Sequence, residues 1–242
     1  HRFYGDYFQA VKGGGHVDYK TIVLAPASVQ EMYDFVVTGF DLAFKYRMPA
    51  MILSDGAIGQ MMEKVELRPQ VQRLTDKEIA EKYGDWATTG KSGRKANFIS
   101  SLALEARDME QINLRLQAKY RLIEETEVLF EKHLCDDAEY LLVAFGSSAR
   151  ICESTVEMAR SKGIRMGLLR PITLFPFPTR IIQAMLPQLK GIMSVELSAG
   201  QMVEDIRLAV NGAVPVEFFG KMGGIVFSPE EVLNAFTAKF NL

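Results

Sequence analysis

The stretch that most constrains this chain is residues 139 to 178, EYLLVAFGSSARICESTVEMARSKGIRMGLLRPITLFPFP. Tyr140 to Phe145 is an unbroken apolar run that suits a strand buried on both faces, and Gly146 ends it. Ser147 or Ser148 can cap a following helix, in which Ala149, Cys152, Val156 and Ala159 recur at spacings of three and four. Gly163 closes that helix, and a second apolar run, Met166 to Leu169, stops at Pro171. Two such strands joined through a helix pair in parallel by a right-handed crossover. This βαβ unit is the seed of an α/β domain.

The rest of the chain repeats the same alternation. Thr21 to Ala25 (TIVLA) is a buried-type strand ended by Pro26; Ser28 then caps a helix, with Glu31 three residues on as a capping box. Met32, Phe35, Val36, Phe40, Ala43 and Phe44 occupy one broad face of it, Tyr46 to Pro49 ends it, and Ala50 to Leu53 makes the next strand. From Glu63 to Leu104, Pro69, Gly84, Gly90 and Gly93 punctuate a polar linker, with Trp86 read as an anchor against one domain and Lys91, Arg94 and Lys95 as a solvated basic loop. Residues 105 to 133 read as one long connecting helix striped by Met109, Ile112, Leu116, Tyr120 and Ile123. His133 falls at its C-terminal end, where the helix dipole favours a cation. After the seed unit come a helix over 179 to 189, a strand over 192 to 195 and a helix over 201 to 210. A strand over 215 to 219, the loop Gly220 to Gly224, and a last helix capped at Ser228 with Pro229 and Glu231 complete the pattern. Glu196 reads equally as a contact to a partner or ligand and as a turn-stabilising carboxylate.

Composition narrows the function classes. At 242 residues the chain can form two domains, and 48% hydrophobic with 24% charged residues is a globular balance. A net charge of −2 offers no basic stripe for a nucleic-acid backbone, so no nucleic-acid partner is expected. No run of about 18 apolar residues and no signal peptide is found, so no membrane partner is expected. Cys135 and Cys152 are too few and too far apart for a metal or iron–sulfur site, and the expected compartment is a reducing cytoplasm. The sequence opens at His1 rather than Met and is read as a fragment or processed piece with essential residues upstream.

No complete catalytic set is present: no nucleophile elbow, P-loop, full G-x-G-x-x-G, H-E-x-x-H or cysteine cluster occurs. Gly13, Gly14 and Gly15 precede His16 and read either as a flexible turn or as a loop that lets a ligand approach the backbone. Asp55, in Ser54-Asp55-Gly56 at a strand end, reads as a turn residue rather than a Mg²⁺ ligand, because no Gly-Asp-Gly diphosphate motif occurs.

Several motifs carry a family resemblance. The GS turn and LRPITLFPFP of residues 139 to 178 resemble the C-terminal domain of transketolases and 2-oxoacid oxidoreductases. VKGGGH, VLAPASVQE and KYRMPAMILSDGAIGQM, within residues 6 to 62, are similar to the end of the pyrimidine-binding domain in the α subunit of 2-oxoacid:ferredoxin oxidoreductases, especially the 2-oxoisovalerate type. Val17 departs from that pattern, where the family usually has Gly, and so do the first residues, HRFYGDYFQ. WATTGKSGRKANFI resembles the family's linker, and VELSAGQMVEDIRLAV with FFGKMGG resembles the α subunit's last domain.

The resemblance implies an α/β chain in three parts. Residues 1–62 would end a thiamine-enzyme pyrimidine-binding domain, 63–135 would form the linker and long helix, and 136–242 a transketolase C-terminal-like three-layer α/β/α domain with a mostly parallel sheet. It implies oxidative decarboxylation of a branched-chain or related 2-oxoacid to acyl-CoA, with ferredoxin reduction. Thiamine diphosphate and Mg²⁺ would be shared with another subunit, and none is expected on this piece alone. The implied partners are a thiamine-binding β subunit, a γ subunit and a ferredoxin-like subunit carrying the iron–sulfur clusters, with coenzyme A as acyl acceptor. Asp6, Gln9, Gly14 and His16 are the expected cofactor-side residues, because they occupy the loop leading into the pyrimidine-side domain; no catalytic or metal-ligating residue is expected here, since the acid that activates the aminopyrimidine lies upstream in the family. Two other readings are the same region of another thiamine enzyme, such as a dehydrogenase β chain or a transketolase, against which KGGGH and SDGAIGQM argue, and a non-catalytic interaction or ligand-sensing module of the same fold.

Overall fold

The computed structural model describes residues 5–15, 18–70 and 72–242. It falls into two compact units, one formed by residues 1–65 with 119–242 and the other by residues 66–118. In the larger unit, α1 (Tyr7–Val11) leads through the three glycines to β1 (Ile22–Leu24), α2 (Val29–Tyr46) and β2 (Ala50–Ile52). Ile22, Val23 and Leu24 are all fully buried, and β1 runs parallel to β2 with Val23 opposite Met51. At the start of α2 the Ser28 side chain accepts from Glu31 N, but the Glu31 carboxylate reaches back to Ala27 N at 2.7 Å rather than to the cap residue. Only half of the expected capping box therefore forms, because that carboxylate also has a distant partner.

The smaller unit is exposed for most of its length. Its α3 (Asp76–Tyr83) starts on a complete capping box between Thr75 and Glu78. Trp86 is half-buried with its ring 5.6 Å from that of Tyr83, while Lys91, Arg94 and Lys95 are exposed, as expected of a solvated basic loop.

The helix read as spanning residues 105 to 133 is shorter: α4 (Ala106–Thr126) stops, and β3 (Phe130–His133) follows. Val128-Leu129-Phe130 is β-branched and aromatic, and an unpaired sheet edge was available to it, so tertiary pairing overrode helical spacing. His133 is accordingly on an edge strand, with Nε2 2.9 Å from Glu157, and does not cap a helix.

The seed unit forms as expected. Strand β4 (Tyr140–Val143), helix α5 (Gly146–Ser161) and strand β5 (Met166–Pro171) give parallel pairing with Leu142 opposite Leu168. Next come β6 (Thr173–Phe175), α6 (Thr179–Met185), β7 (Gly191–Glu196), α7 (Met202–Val210), β8 (Val216–Gly220) and α8 (Pro229–Phe240). The main sheet has the order β3-β5-β4-β7-β8, parallel except for β3. From β4 the chain crosses one way to β5 and then the other way to β7, and right-handed crossovers place α5 on one face and α6 with α7 on the other. Helix α8 packs on α5, which completes the expected three layers. Pattern reading missed β6, in TLFPFP: it pairs antiparallel with β1 in a small second sheet, Val23 opposite Phe175.

Gly167 of β5 lies under the turn after β3. A Cβ there would stand 2.8 Å from the Leu134 carbonyl oxygen and 3.1 Å from Cys135 Cα, both backbone atoms. Gly167→Ala is therefore expected to cost about 1–3 kcal/mol through overpacking, read as a lower midpoint in chemical denaturation; an unchanged midpoint would show that this turn yields freely.

Candidate functional site

In an open parallel sheet, ligands bind at the carboxyl ends of the strands where the strand order reverses. Here that switch point lies between β4 and β7. The chain's own first helix occupies it. Tyr7 is completely buried, with its ring 5.9 Å from that of Phe145, which follows β4. Its hydroxyl donates to Asp205 Oδ2 on α7 at 2.6 Å. Lys12, at the end of α1, pairs with the same carboxylate. Gln201, one turn earlier and just before α7, accepts from Phe8 N at 2.9 Å and donates to the Gly5 carbonyl at 2.8 Å. Burial pushes the Tyr7 phenol well above its ordinary value, and the neighbouring Asp205 carboxylate adds to this.

Glu196 at the end of β7 is a cap. It is buried and accepts from Ser194 Oγ at 2.8 Å, Ser198 Oγ at 2.9 Å and the N–H groups of Gln201, Met202 and Val203 at 2.9 to 3.0 Å. Of the two readings open for Glu196, the turn-stabilising carboxylate is the one these five donors support.

Beyond Lys12, Gly13, Gly14 and Gly15 have φ of 61°, 64° and 85°, a run of left-handed backbone that favours glycine. A Cβ on Gly14 would lie 2.7 Å from the Tyr19 hydroxyl oxygen. Of the residues expected to face a cofactor, Asp6 precedes α1, Gln9 lies on its exposed side and Gly14 lies in this loop; His16 lies outside the described residues. A cleft of about 620 Å³ opens beside the loop, lined among others by Lys12, Lys20, Arg121, Phe175, Phe177 and Arg180. Asp6, Gln9 and Gly14 do not line it.

Three further contacts tie the same region together. The buried Arg170, near the end of β5, donates from Nη2 to both carboxylate oxygens of Glu31 at 2.7 Å and from Nη1 to Glu131 at 2.9 Å. Arg150 on α5 donates to Glu63 at 2.7 Å and to the Ala27 carbonyl at 3.3 Å. Asp55, 3% exposed, accepts from Ala57 N and Ile58 N at 2.8 Å and, through its other oxygen, from Ser147 N at 3.3 Å. Asp55 is thus a turn residue, and it also caps α5, whose start has no cap from Ser147 or Ser148. Both its oxygens are engaged, and among the described residues no group of three His, Cys, Asp or Glu is placed to hold a metal ion. These residues do not fit a metal-bound diphosphate.

A family model described as "Pyruvate flavodoxin/ferredoxin oxidoreductase, thiamine diP-bdg" matches residues 4–128, just over half of the chain. The chain belongs to this family. A second model, "Pyruvate:ferredoxin oxidoreductase core domain II", matches residues 138–232. Among curated relatives, the ketoisovalerate oxidoreductase subunit VorB of Methanothermobacter thermautotrophicus is 46% identical over 95% of the chain. The 2-oxoglutarate synthase subunit KorA of Methanothermobacter marburgensis is 30% identical over 95% of it. The chain spans 63% and 66% of those proteins' lengths. A 2-oxoglutarate:ferredoxin oxidoreductase from Magnetococcus marinus, solved with 2-oxoglutarate, coenzyme A and succinyl-CoA, superposes with a TM-score of 0.76 at 20% identity. That match covers 98% of this chain and 45% of the other, and it shows a shared fold. Among the described residues, no helix is long and apolar enough to cross a membrane.

The residues that pattern reading missed in this member of the oxidoreductase family are Tyr7, Lys12, Gln201 and Asp205. The partners in these contacts are 193 to 198 positions apart, beyond any local periodicity. Replacing Glu31 by Gln leaves the buried Arg170 with one exposed carboxylate, and the expected loss is about 3 kcal/mol in equilibrium unfolding. Because the Tyr7 phenol is raised, its contribution is complete below about pH 10, where an unfolded tyrosine ionises, and is lost as pH rises through the folded value. Wild type should therefore melt above Tyr7→Phe at about pH 8, and the gap should close toward about pH 11. A gap independent of pH would mean that Tyr7 is not buried in solution.

Proposed function

We propose that this chain forms most of the α subunit of a thiamine-dependent 2-oxoacid:ferredoxin oxidoreductase acting on a branched-chain 2-oxoacid. The observation that carries this reading is the likeness to ketoisovalerate oxidoreductase subunits along nearly the whole chain, through both matched family domains. The reaction is oxidative decarboxylation to the acyl-CoA, with the electrons passed to ferredoxin. Thiamine diphosphate, when bound, supplies the carbanion stabilisation. This chain supplies a wall, in which the tri-glycine loop and Lys12 stand on a scaffold fixed by α7 and β5. A thiamine-binding β subunit holds the diphosphate and Mg²⁺, in keeping with the engaged oxygens of Asp55. A γ subunit and a ferredoxin-like subunit with iron–sulfur clusters complete the assembly, in the cytoplasm. Asp6, Gln9, Gly14 and His16 border the cofactor side in this reading, and residues 1–62, 63–135 and 136–242 are its three parts.

Co-expression of the full-length chain with its co-encoded partners tests it. The expected result is thiamine- and coenzyme A-dependent reduction of a viologen dye by 2-oxoisovalerate, faster than by pyruvate or 2-oxoglutarate, and lost when this chain is omitted. No activity from a folded complex with loaded clusters would favour a non-catalytic module. In the active complex, His16→Ala is expected to lower turnover or substrate affinity; an unchanged rate and KM would remove His16 from the site.

A further inference from the structure

We propose that the switch-point crevice of the C-terminal domain is a socket for Tyr7, and that Asp205 is a positioning residue which, through Tyr7 and Lys12, fixes the Gly13–Gly15 loop. The crevice is where this type of sheet ordinarily presents a ligand. It is filled by a side chain that arrives from the far end of the sequence, fully buried, ring against Phe145 and hydroxyl on Asp205. Tyr7 therefore takes the place of a ligand, and it arrives joined to a loop.

The polar contacts are arranged for placement. Asp205 lies one turn after Gln201, the residue just before α7, and among the described residues their side chains hydrogen-bond to Gly5, Tyr7, Phe8 and Lys12. Neither side chain caps α7, because Glu196 does that with its own carboxylate. The last anchored residue, Lys12, immediately precedes Gly13, and its carbonyl accepts from Gly15 N at 2.9 Å. Three glycines in sequence have almost no intrinsic preference for one conformation, so their position depends on what holds the two ends. One end is held by Asp205; Tyr19 packs over Gly14 near the other.

The assignment rests on the proposed function only for its kinetic arm. The test uses the full-length chain in its complex, as wild type, Asp205→Asn, Asp205→Glu and the milder Gln201→Ala. In hydrogen exchange, the peptide covering residues 5–15 should exchange about tenfold faster in Asp205→Asn and measurably faster in Gln201→Ala, while peptides in β4, β5 and β7 keep the wild-type rate. In the viologen assay, KM for 2-oxoisovalerate should rise about tenfold in Asp205→Asn with kcat changed less than about twofold, and Asp205→Glu should restore part of the loss. Unchanged exchange over residues 5–15 in both variants overturns the proposal. So does faster exchange spread evenly over the sheet, which would make Asp205 a stabilising residue only, and so does altered exchange with unaltered KM. A wild-type complex without 2-oxoacid activity would sink the functional reading instead, and the exchange data would still decide whether α7 holds the loop.

Discussion

The buried guanidinium of Arg170 faces Glu31 across a separation of 139 residues, and this pair shows how the larger unit is held together. At close range and an effective dielectric of about 20, the attraction amounts to roughly 4 kcal/mol, while taking both groups out of water costs several kcal/mol. The net gain is small. The cost of losing one partner is large, so the pair acts mainly as a registry pin: the start of α2 has to meet the end of β5, or a charge is left buried alone. The same carboxylate also accepts from Ala27 N, so the pin and the start of α2 are one device.

Other contacts follow the same direction. Asp55 sits at the start of α5, Tyr7 fills the crevice between β4 and β7, and Arg150 reaches Glu63 and Ala27. Backbone pairing joins in, since β1 lies against β6 and Ala25 N donates to the Ile172 carbonyl at 2.8 Å. At the carboxyl ends of the main sheet, where α/β domains usually hold small molecules, Phe145, Ser147, Arg150, Arg170 and Asp205 are instead engaged by Tyr7, Ala27, Glu31, Asp55 and Glu63 of the same chain. A domain that uses its binding edge in this way acts as a scaffold, and its effect on chemistry passes through the segment that it holds.

Much of this was legible in local pattern. The seed β4-α5-β5 was readable because its strands are apolar on both faces and its helix keeps a clean stripe. The cap at Ser228 was readable because its partner Glu231 is three residues away. Residues whose partners are distant were not. Ser147 and Ser148 are reasonable cap residues, yet the cap of α5 comes from Asp55; Val128 to His133 fits a helix until an antiparallel neighbour is offered to it. Asp6, Gln9 and Gly14 were singled out by position near a loop, whereas burial selected Tyr7, an aromatic in a polar stretch with no periodicity.

The sequence by itself determined an α/β chain built round a parallel sheet, because strand and helix periods differ and each segment shows its own. Its ordered motifs also determined the family. The tertiary structure decided which side chains meet: that Glu196 caps α7, that Asp55 spans two segments, and that Tyr7, Lys12 and Asp205 form one cluster. The physical reason is that burial and ion pairing are properties of proximity, and contacts between residues about two hundred positions apart leave no trace in the spacing of either.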